Sequence, residues 1–84
     1  MERRVGHVTH YFSKLGVAAI ALEDDELKVG DEIRIKGHTT DIVQPIDSLQ
    51  YEHEFIREAH LGQNVGVKVK GHVREHDAVF KTSI

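Results

Sequence analysis

The residues best suited to chemistry lie in the run IRIKGHTTDIVQP, which spans residues 33–45. Within it, a lysine and a glycine precede two threonines and an aspartate, and successive backbone N–H groups in such a run can bind an anion. The lysine would attract the anion, the threonine hydroxyls would orient it, and the aspartate would hold the turn. The alternative is a hairpin turn, in which the aspartate or a threonine accepts hydrogen bonds from neighbouring backbone donors. The candidate binding residues of this run are Lys36, Gly37, Thr39, Thr40 and Asp41.

Four basic side chains form a second candidate for binding. Arg34 and Lys36 alternate with isoleucines, and Lys68 and Lys70 alternate with valines, so each pair points outward from its strand. If the two strands are neighbours, the four charges form one basic patch that could contact a few phosphates of RNA. Ordinary solvated strand faces are the alternative. The formal net charge is −3, which argues against a sequence-independent nucleic-acid binder, because such a binder needs a positive excess.

Metal binding and catalysis have weaker candidates. The chain has seven histidines, but His7 and His10 would point to opposite faces of a strand, and no cysteine is present to complete a zinc site. The acidic run EDDE (residues 23–26) is typical of a solvated turn. No serine lies in a nucleophile motif. The sequence therefore predicts no catalytic residue, no metal site and no cofactor.

Short strands must position these residues. Apolar and polar residues alternate, with turn signals at intervals of roughly 8–12 residues, which predicts six or seven β-strands. Pro45 belongs at an edge or a bend because it cannot donate a ladder hydrogen bond, and Gly62 ends a helical turn within 57–63. We expect residues 1–84 to form one domain, a closed antiparallel barrel, because closure removes exposed sheet edges. The predicted strands are 4–12, 17–22, 32–37, one or two strands within 41–56, 64–73 and 78–84.

Two turn-containing segments indicate a family for this barrel. LKVGDEIRIKG (residues 27–37) and EAHLGQNVGVKVKG (residues 58–71) resemble the second domain of elongation factor Tu and its translational GTPase relatives. In that domain, Leu-x-x-Gly-Asp and Gly-x-x-Val-Gly turns each lead into a barrel strand. The resemblance implies a six-stranded Greek-key barrel. The matching turn residues are Leu27, Gly30, Asp31, Gly62, Val65 and Gly66.

A closer resemblance covers residues 6–22, 33–44 and 73–81. These segments are similar to small translation-elongation-factor-like proteins and to the C-terminal barrel of collagenase-like peptidases. In this group the run Lys-Gly-x-Thr-Thr-Asp is close to a signature, and this chain has it at residues 36–41. The chain departs from the group at His76, where a glycine before Asp77 would be usual. This histidine either takes a left-handed turn conformation or marks a different turn.

Neither resemblance carries an enzymatic activity to this chain. It has no phosphate-binding Gly-x-x-x-x-Gly-Lys-Ser/Thr loop, so nucleotide binding and GTP hydrolysis are not expected. The peptidase domain of the longer proteins is also missing from it. With no cysteine, no signal peptide and no apolar run near the roughly 20 residues of a membrane span, we expect a soluble cytoplasmic protein without a membrane partner.

The leading functional hypothesis is a non-catalytic binding module whose partner is RNA, a ribosomal component or a protein. An alternative is an accessory interaction subunit that assembles with a separately encoded, collagenase-like peptidase-type enzyme. A third hypothesis, from another class, is a small enzyme or metal protein built on the histidines.

Overall fold

β-Strands provide the regular structure of the computed structural model, which describes residues 2–82. These residues include no helical segment with the length and hydrophobicity of a membrane span. The predicted strand 78–84 is observed over Ala78–Lys81, and residues 83 and 84 lie outside the described part of the chain. The strands are β1 (Arg3–Phe12), β2 (Val17–Leu22), β3 (Leu27–Lys28), β4 (Glu32–Lys36), β5 (Asp41–Pro45), β6 (Leu49–Tyr51), β7 (Glu54–Ile56), β8 (Glu58–Ala59), β9 (Asn64–Lys68) and β10 (Ala78–Lys81).

Eight of these strands form one antiparallel sheet in the order β5-β4-β10-β1-β2-β9-β6-β7. The remaining two, β3 and β8, pair with each other. The segment predicted as a helical turn at residues 57–63 therefore contains strand β8, followed by a turn. The segment predicted as one or two strands at 41–56 contains three, because it is interrupted after Pro45 and again at Glu52-His53.

The closed six-stranded Greek-key barrel predicted from the sequence is not supported. Strands β5 and β7 are the two edges of the eight-stranded sheet, and no backbone ladder joins them. Pro45 ends β5, and a proline cannot extend a ladder because it has no N–H group. The all-β class and the antiparallel pairing are confirmed, and the closure is not.

One side chain links the β5 edge to the chain that follows β9. Gln44 is almost fully buried, with 3% of its surface exposed. Its Nε2 donates to the carbonyl of Lys68 and its Oε1 accepts from the N–H of Lys70, both at 2.8 Å. The Gln44 amide therefore occupies the position of a backbone peptide group and replaces one rung of a ladder.

The core lies on one face of the sheet, as the alternating pattern predicts. Ile33 and Ile35 of β4 are fully buried, and Val65 and Val67 of β9 are buried between exposed or half-buried neighbours. Strand β2 alternates in the same way, with Ile20 among its buried residues. Its apolar run is therefore buried on one face only, although a continuous run of this kind predicts burial on both.

Three turns of similar construction lead into strands β4, β9 and β10. In each, a side-chain oxygen accepts the N–H of the residue three positions earlier, which leaves fewer unpaired donors in the turn. The residue before that side chain has a positive φ, and it is Gly30, Gly62 or His76. The bonds are Lys28 N to Asp31 Oδ2 (3.0 Å), His60 N to Gln63 Oε1 (2.7 Å) and Arg74 N to Asp77 Oδ2 (2.9 Å).

His76 takes the left-handed conformation, with φ of 75°, the first of the two outcomes that the sequence left open. Such a φ is unfavourable for a residue with a Cβ atom. We expect His76→Gly to raise the free energy of unfolding by about 0.5–1 kcal/mol, after allowing for the greater freedom of glycine in the unfolded chain. Urea unfolding of both proteins measures the difference.

Glu75→Gly is the matched control for this substitution. Residue 75 is adjacent to His76 but is not among the residues with positive φ. Glycine at this position adds freedom to the unfolded chain without relieving strain, so it should lower stability. If both glycine variants change stability in the same direction, strain at His76 is not the cause.

Candidate functional site

The run KGHTTD forms the loop of the β4–β5 hairpin. Lys36 pairs with Asp41 across the two strands, and Gly37 N–H donates to the Thr40 carbonyl at 2.8 Å. Thr40 is buried, with 4% of its surface exposed, so it is not presented to a ligand at the surface. The run is therefore a hairpin loop, and a binding role for its residues stays a prediction.

Position 37 requires glycine because the Asp77 carboxylate lies beside it. A Cβ atom at Gly37 would lie 1.9 Å from Oδ1 of Asp77, far inside van der Waals contact. Asp77 is itself buried and accepts the Arg74 N–H. A carboxylate this close to the loop opposes the binding of an anion there. Thr39 Oγ1 accepts a hydrogen bond from Arg74 Nε at 3.1 Å.

Arg34 is held by two carboxylates. Its Nε and Nη2 donate to the two oxygens of Asp41, each at 2.8 Å, and its Nη1 donates to Glu2 at 3.1 Å. The hydrogen bonds from Arg34 lower the pKa of Asp41, and those from Asp41 and Glu2 raise the pKa of Arg34. A two-pronged arginine–carboxylate pair fixes both side chains. Arg34 is therefore engaged within the protein, while Lys36 is exposed.

The predicted basic patch does not form across neighbouring strands. Strand β4, which carries Arg34 and Lys36, is separated from β9 by β10, β1 and β2. Lys68 and Lys70 lie instead beside the β5 edge, where Gln44 contacts their backbone. A binding role for these four residues stays a prediction.

Three histidines contact carboxylates at separate places on the surface. His7 contacts Glu23, His10 contacts Glu75 and His60 contacts Glu26, with Nδ1–oxygen distances of 2.6, 3.4 and 2.8 Å. Residues 2–82 contain no group of three or more histidine or acidic side chains that could hold a metal ion.

The acidic run pairs with basic residues of the first strand and the last. Asp24 contacts Arg4, and Asp25 contacts Arg3 and Lys81. The pKa of Asp25 is lowered chiefly by the backbone N–H of Glu26. The run is therefore a turn stabilised by hydrogen bonds and by ion pairs that are exposed at Asp24 and half-buried between Asp25 and Lys81.

An apolar groove on the outer face of the sheet was missed by the sequence analysis. It consists of two adjoining depressions of about 400 and 410 Å³ that share part of their lining. Three of its apolar side chains are exposed to solvent: Phe12 by 45%, Leu15 by 67% and Phe55 by 74%. We use "outer groove" for the surface lined by Phe12, Leu15, Val17, Gln50, Phe55 and Gly66.

Strand register assembles the outer groove. Phe12 lies opposite Val17, Gly66 lies between Ala19 and Gln50, and Gln50 lies opposite Phe55. The floor is low at Gly66, where a Cβ atom would lie 3.3 Å from Val17 Cγ1. Phe12 therefore lies on this exposed face and not in the core.

Two relatives share sequence similarity with nearly the whole chain. A collagenase of Porphyromonas gingivalis is 41% identical over 78 residues, which cover 92% of this chain and 22% of the collagenase. An uncharacterized protease of Methanocaldococcus jannaschii is 42% identical over 77 residues, which cover 90% of this chain and 19% of the protease. The chain is homologous to a segment of these proteins. It spans about a fifth of their length.

Solved structures have the same fold. The C-terminal domain of a candidate U32 peptidase of Geobacillus thermoleovorans matches with a TM-score of 0.86 at 23% identity, covering 94% of this chain and 91% of that one. A selenomethionine variant of the domain gives 0.85 at 24% identity, covering 92% and 96%. No family model matches the chain. The resemblance to collagenase-like peptidases is confirmed, whereas the resemblance to elongation factor Tu is not supported.

Proposed function

We propose that this chain is a non-catalytic interaction domain that associates with a collagenase-like, peptidase-type enzyme. The observation that carries the proposal is the homology of 92% of the chain to a segment that forms only 22% of a collagenase. A segment of that kind is one part of a larger protein, and inter-domain contacts are the usual environment of such a part.

The surface of the chain favours an interaction at the outer groove over one at the 36–41 run. In that run, Thr40 is buried and Asp41 holds Arg34. The outer groove instead exposes large apolar side chains, and contiguous apolar surface on a folded protein is typical of contacts with other molecules.

Binding to RNA or the ribosome is not supported by the comparisons. The electrostatics also weigh against it. Arg34 is paired with Asp41 and Glu2, and the chain has a net charge of −3. Lys36, Lys68 and Lys70 remain as exposed cations on separate strands or segments.

The test is direct binding to a relative that lacks the homologous segment. The purified chain is mixed with the Porphyromonas gingivalis collagenase after deletion of the 78-residue match, and association is measured by isothermal titration calorimetry and size exclusion. We expect a defined complex with the deleted protein and weaker association with the intact one, in which the native segment already occupies the site.

Total tRNA at low salt is the comparison ligand. If the chain binds tRNA with a steep salt dependence and does not bind the deleted collagenase, the proposal is wrong and the RNA hypothesis is favoured. Circular dichroism and thermal unfolding show whether the deleted collagenase is folded. If it is not, pull-down from a native extract with mass spectrometry tests the same point, because recovery of ribosomal material alone contradicts the proposal.

A further inference from the structure

The outer groove has the construction of a site for a polypeptide segment. One wall is formed by the β1–β2 turn with Phe12 and Leu15, and the other by the β6–β7 hairpin with Phe55. Between them the floor is low, because Gly66 has no side chain and Ala19 beside it has only a methyl group. Apolar side chains of a partner could reach this floor between two raised, apolar walls.

The exposed walls are not explained by the fold itself. Leu15 is 67% exposed and Phe55 is 74% exposed, so neither contributes much to the buried core. Large aromatic side chains at the centre of a surface patch are typical of residues that dominate an interface. Exposure of Leu15 and Phe55 lowers the solubility of the chain, which indicates that these side chains have a role outside the core.

Backbone strain is concentrated at the tip of the hairpin. Glu52 and His53 connect β6 and β7 in a two-residue turn, and both have positive φ, 50° and 67°. Turns of this geometry favour Asn-Gly, which adopts positive φ with little strain. Here both positions carry larger side chains, and both of these line the outer groove. Strain that persists at non-glycine residues is often associated with function, which here would be contact with a ligand in the groove.

The two ends of the outer groove differ in charge. The depression that contains Phe55 is lined at its end by Lys68. The depression that contains Phe12 is lined by Glu52 and His53. A partner that crosses both depressions therefore meets a cation at one end and a carboxylate at the other, with apolar surface between them.

We propose that the outer groove binds an apolar segment of the partner enzyme that carries an acidic residue at the Lys68 end and a basic residue at the Glu52 end. This inference rests on the proposed function and adds the surface and the chemistry of the contact. The apolar centre supplies affinity, and the opposed charges select the direction in which the segment lies.

The experiment compares groove variants with matched controls in the same titration of segment-deleted collagenase. Leu15→Ser/Phe55→Ser removes both exposed walls, and Val43→Ser/Leu61→Ser removes two exposed apolar residues elsewhere. We expect the groove variant to raise the Kd about 10-fold or more, as loss of interface anchors does. The control pair should change it less than about 3-fold.

Two charge-reversal variants test the direction in which the segment lies. Lys68→Glu should weaken binding, and Arg74→Glu, at an exposed arginine that lines neither depression, should not. Because the replaced side chains are exposed, folding should persist, and unfolding curves of each variant check this. If the wild-type chain binds the deleted collagenase and the groove variants bind equally well, this inference is wrong. The proposed function is unaffected by that result.

Two other outcomes also test the proposed function and the inference about the outer groove. A wild-type chain that does not bind at all contradicts both proposals. The second outcome is a dimer of the wild-type chain in sedimentation, which the Leu15→Ser/Phe55→Ser variant does not form. That result would assign the outer groove to a second copy of the chain and overturn the inference.

Discussion

Replacing Gly37 with alanine should lower the free energy of unfolding by about 2–4 kcal/mol. The added Cβ atom would lie 1.9 Å from Oδ1 and 2.6 Å from Cγ of Asp77. Asp77 cannot move without cost, because it is buried and accepts the N–H of Arg74 in the turn before β10. Either the β4–β5 loop or that turn must shift. Chemical denaturation of the wild type and the variant measures the loss.

A double-mutant cycle shows whether Asp77 causes the loss. Asp77→Ala alone removes one turn hydrogen bond, but it also removes the atoms that Cβ would contact. The double variant Gly37→Ala/Asp77→Ala should therefore be more stable than the sum of the single changes predicts, by about 1–3 kcal/mol. His38→Ala, an exposed change in the same loop, should have little effect. Additive single changes would show that the clash lies elsewhere.

From the sequence, the KGHTTD run is compatible with an anion-binding loop and with a hairpin turn. Its residue types are unusual for a simple turn, and the residues alone do not show their partners. In the structure, Gly37 is required by Asp77, and Asp41 is used to hold Arg34. The partner Asp77 lies forty positions further along the chain, so a local pattern cannot reveal it. A glycine in such a run is as consistent with a close contact as with an anion site.

Strand identity was predictable because it depends on local alternation. Ile33 and Ile35 point inward and their basic neighbours point outward, as period-2 patterning requires. The same alternation predicts that the valines of β9 point inward, as they do in the structure. The division of residues 41–56 into three strands was harder to predict from the sequence, because it depends on a turn in which Glu52 and His53 both adopt positive φ. Neither residue type normally marks such a turn.

The outer groove could not be predicted for a different reason. Phe55 lies forty positions after Leu15 and shares no motif with it or with Phe12. They come together only through the register that aligns β1 with β2, β2 with β9, β9 with β6, and β6 with β7. Register is a property of the whole sheet, so a surface that depends on it appears only in the folded chain.

Gln44→Ala should lower the free energy of unfolding by about 2–4 kcal/mol, because it removes both hydrogen bonds that link the β5 edge to the chain after β9. The Lys68 carbonyl and the Lys70 N–H lose this partner. We expect hydrogen exchange at the Lys70 amide to accelerate more than exchange at Val65 and Val67, which stay within the sheet. Val43→Ala, an exposed change one residue away, is the control.

Gln44→Glu separates hydrogen bonding from packing, because the two side chains have nearly the same shape. An ionised Glu at position 44 still accepts from Lys70 N–H, but it has no proton to donate to the Lys68 carbonyl. Burial and that unmet acceptor would raise its pKa in the folded protein above its value in the unfolded chain. Protonation therefore stabilises the folded variant at low pH, and this stabilisation is lost as the pH rises through the folded pKa. The stability deficit relative to wild type should be large at pH 7 and should begin to shrink as the pH falls through the folded pKa. It should be smallest below about pH 4.3, the ordinary pKa of a glutamate in an unfolded chain. A deficit that is independent of pH would mean that packing alone holds this edge, and that the Gln44 amide does not act as a rung of the sheet.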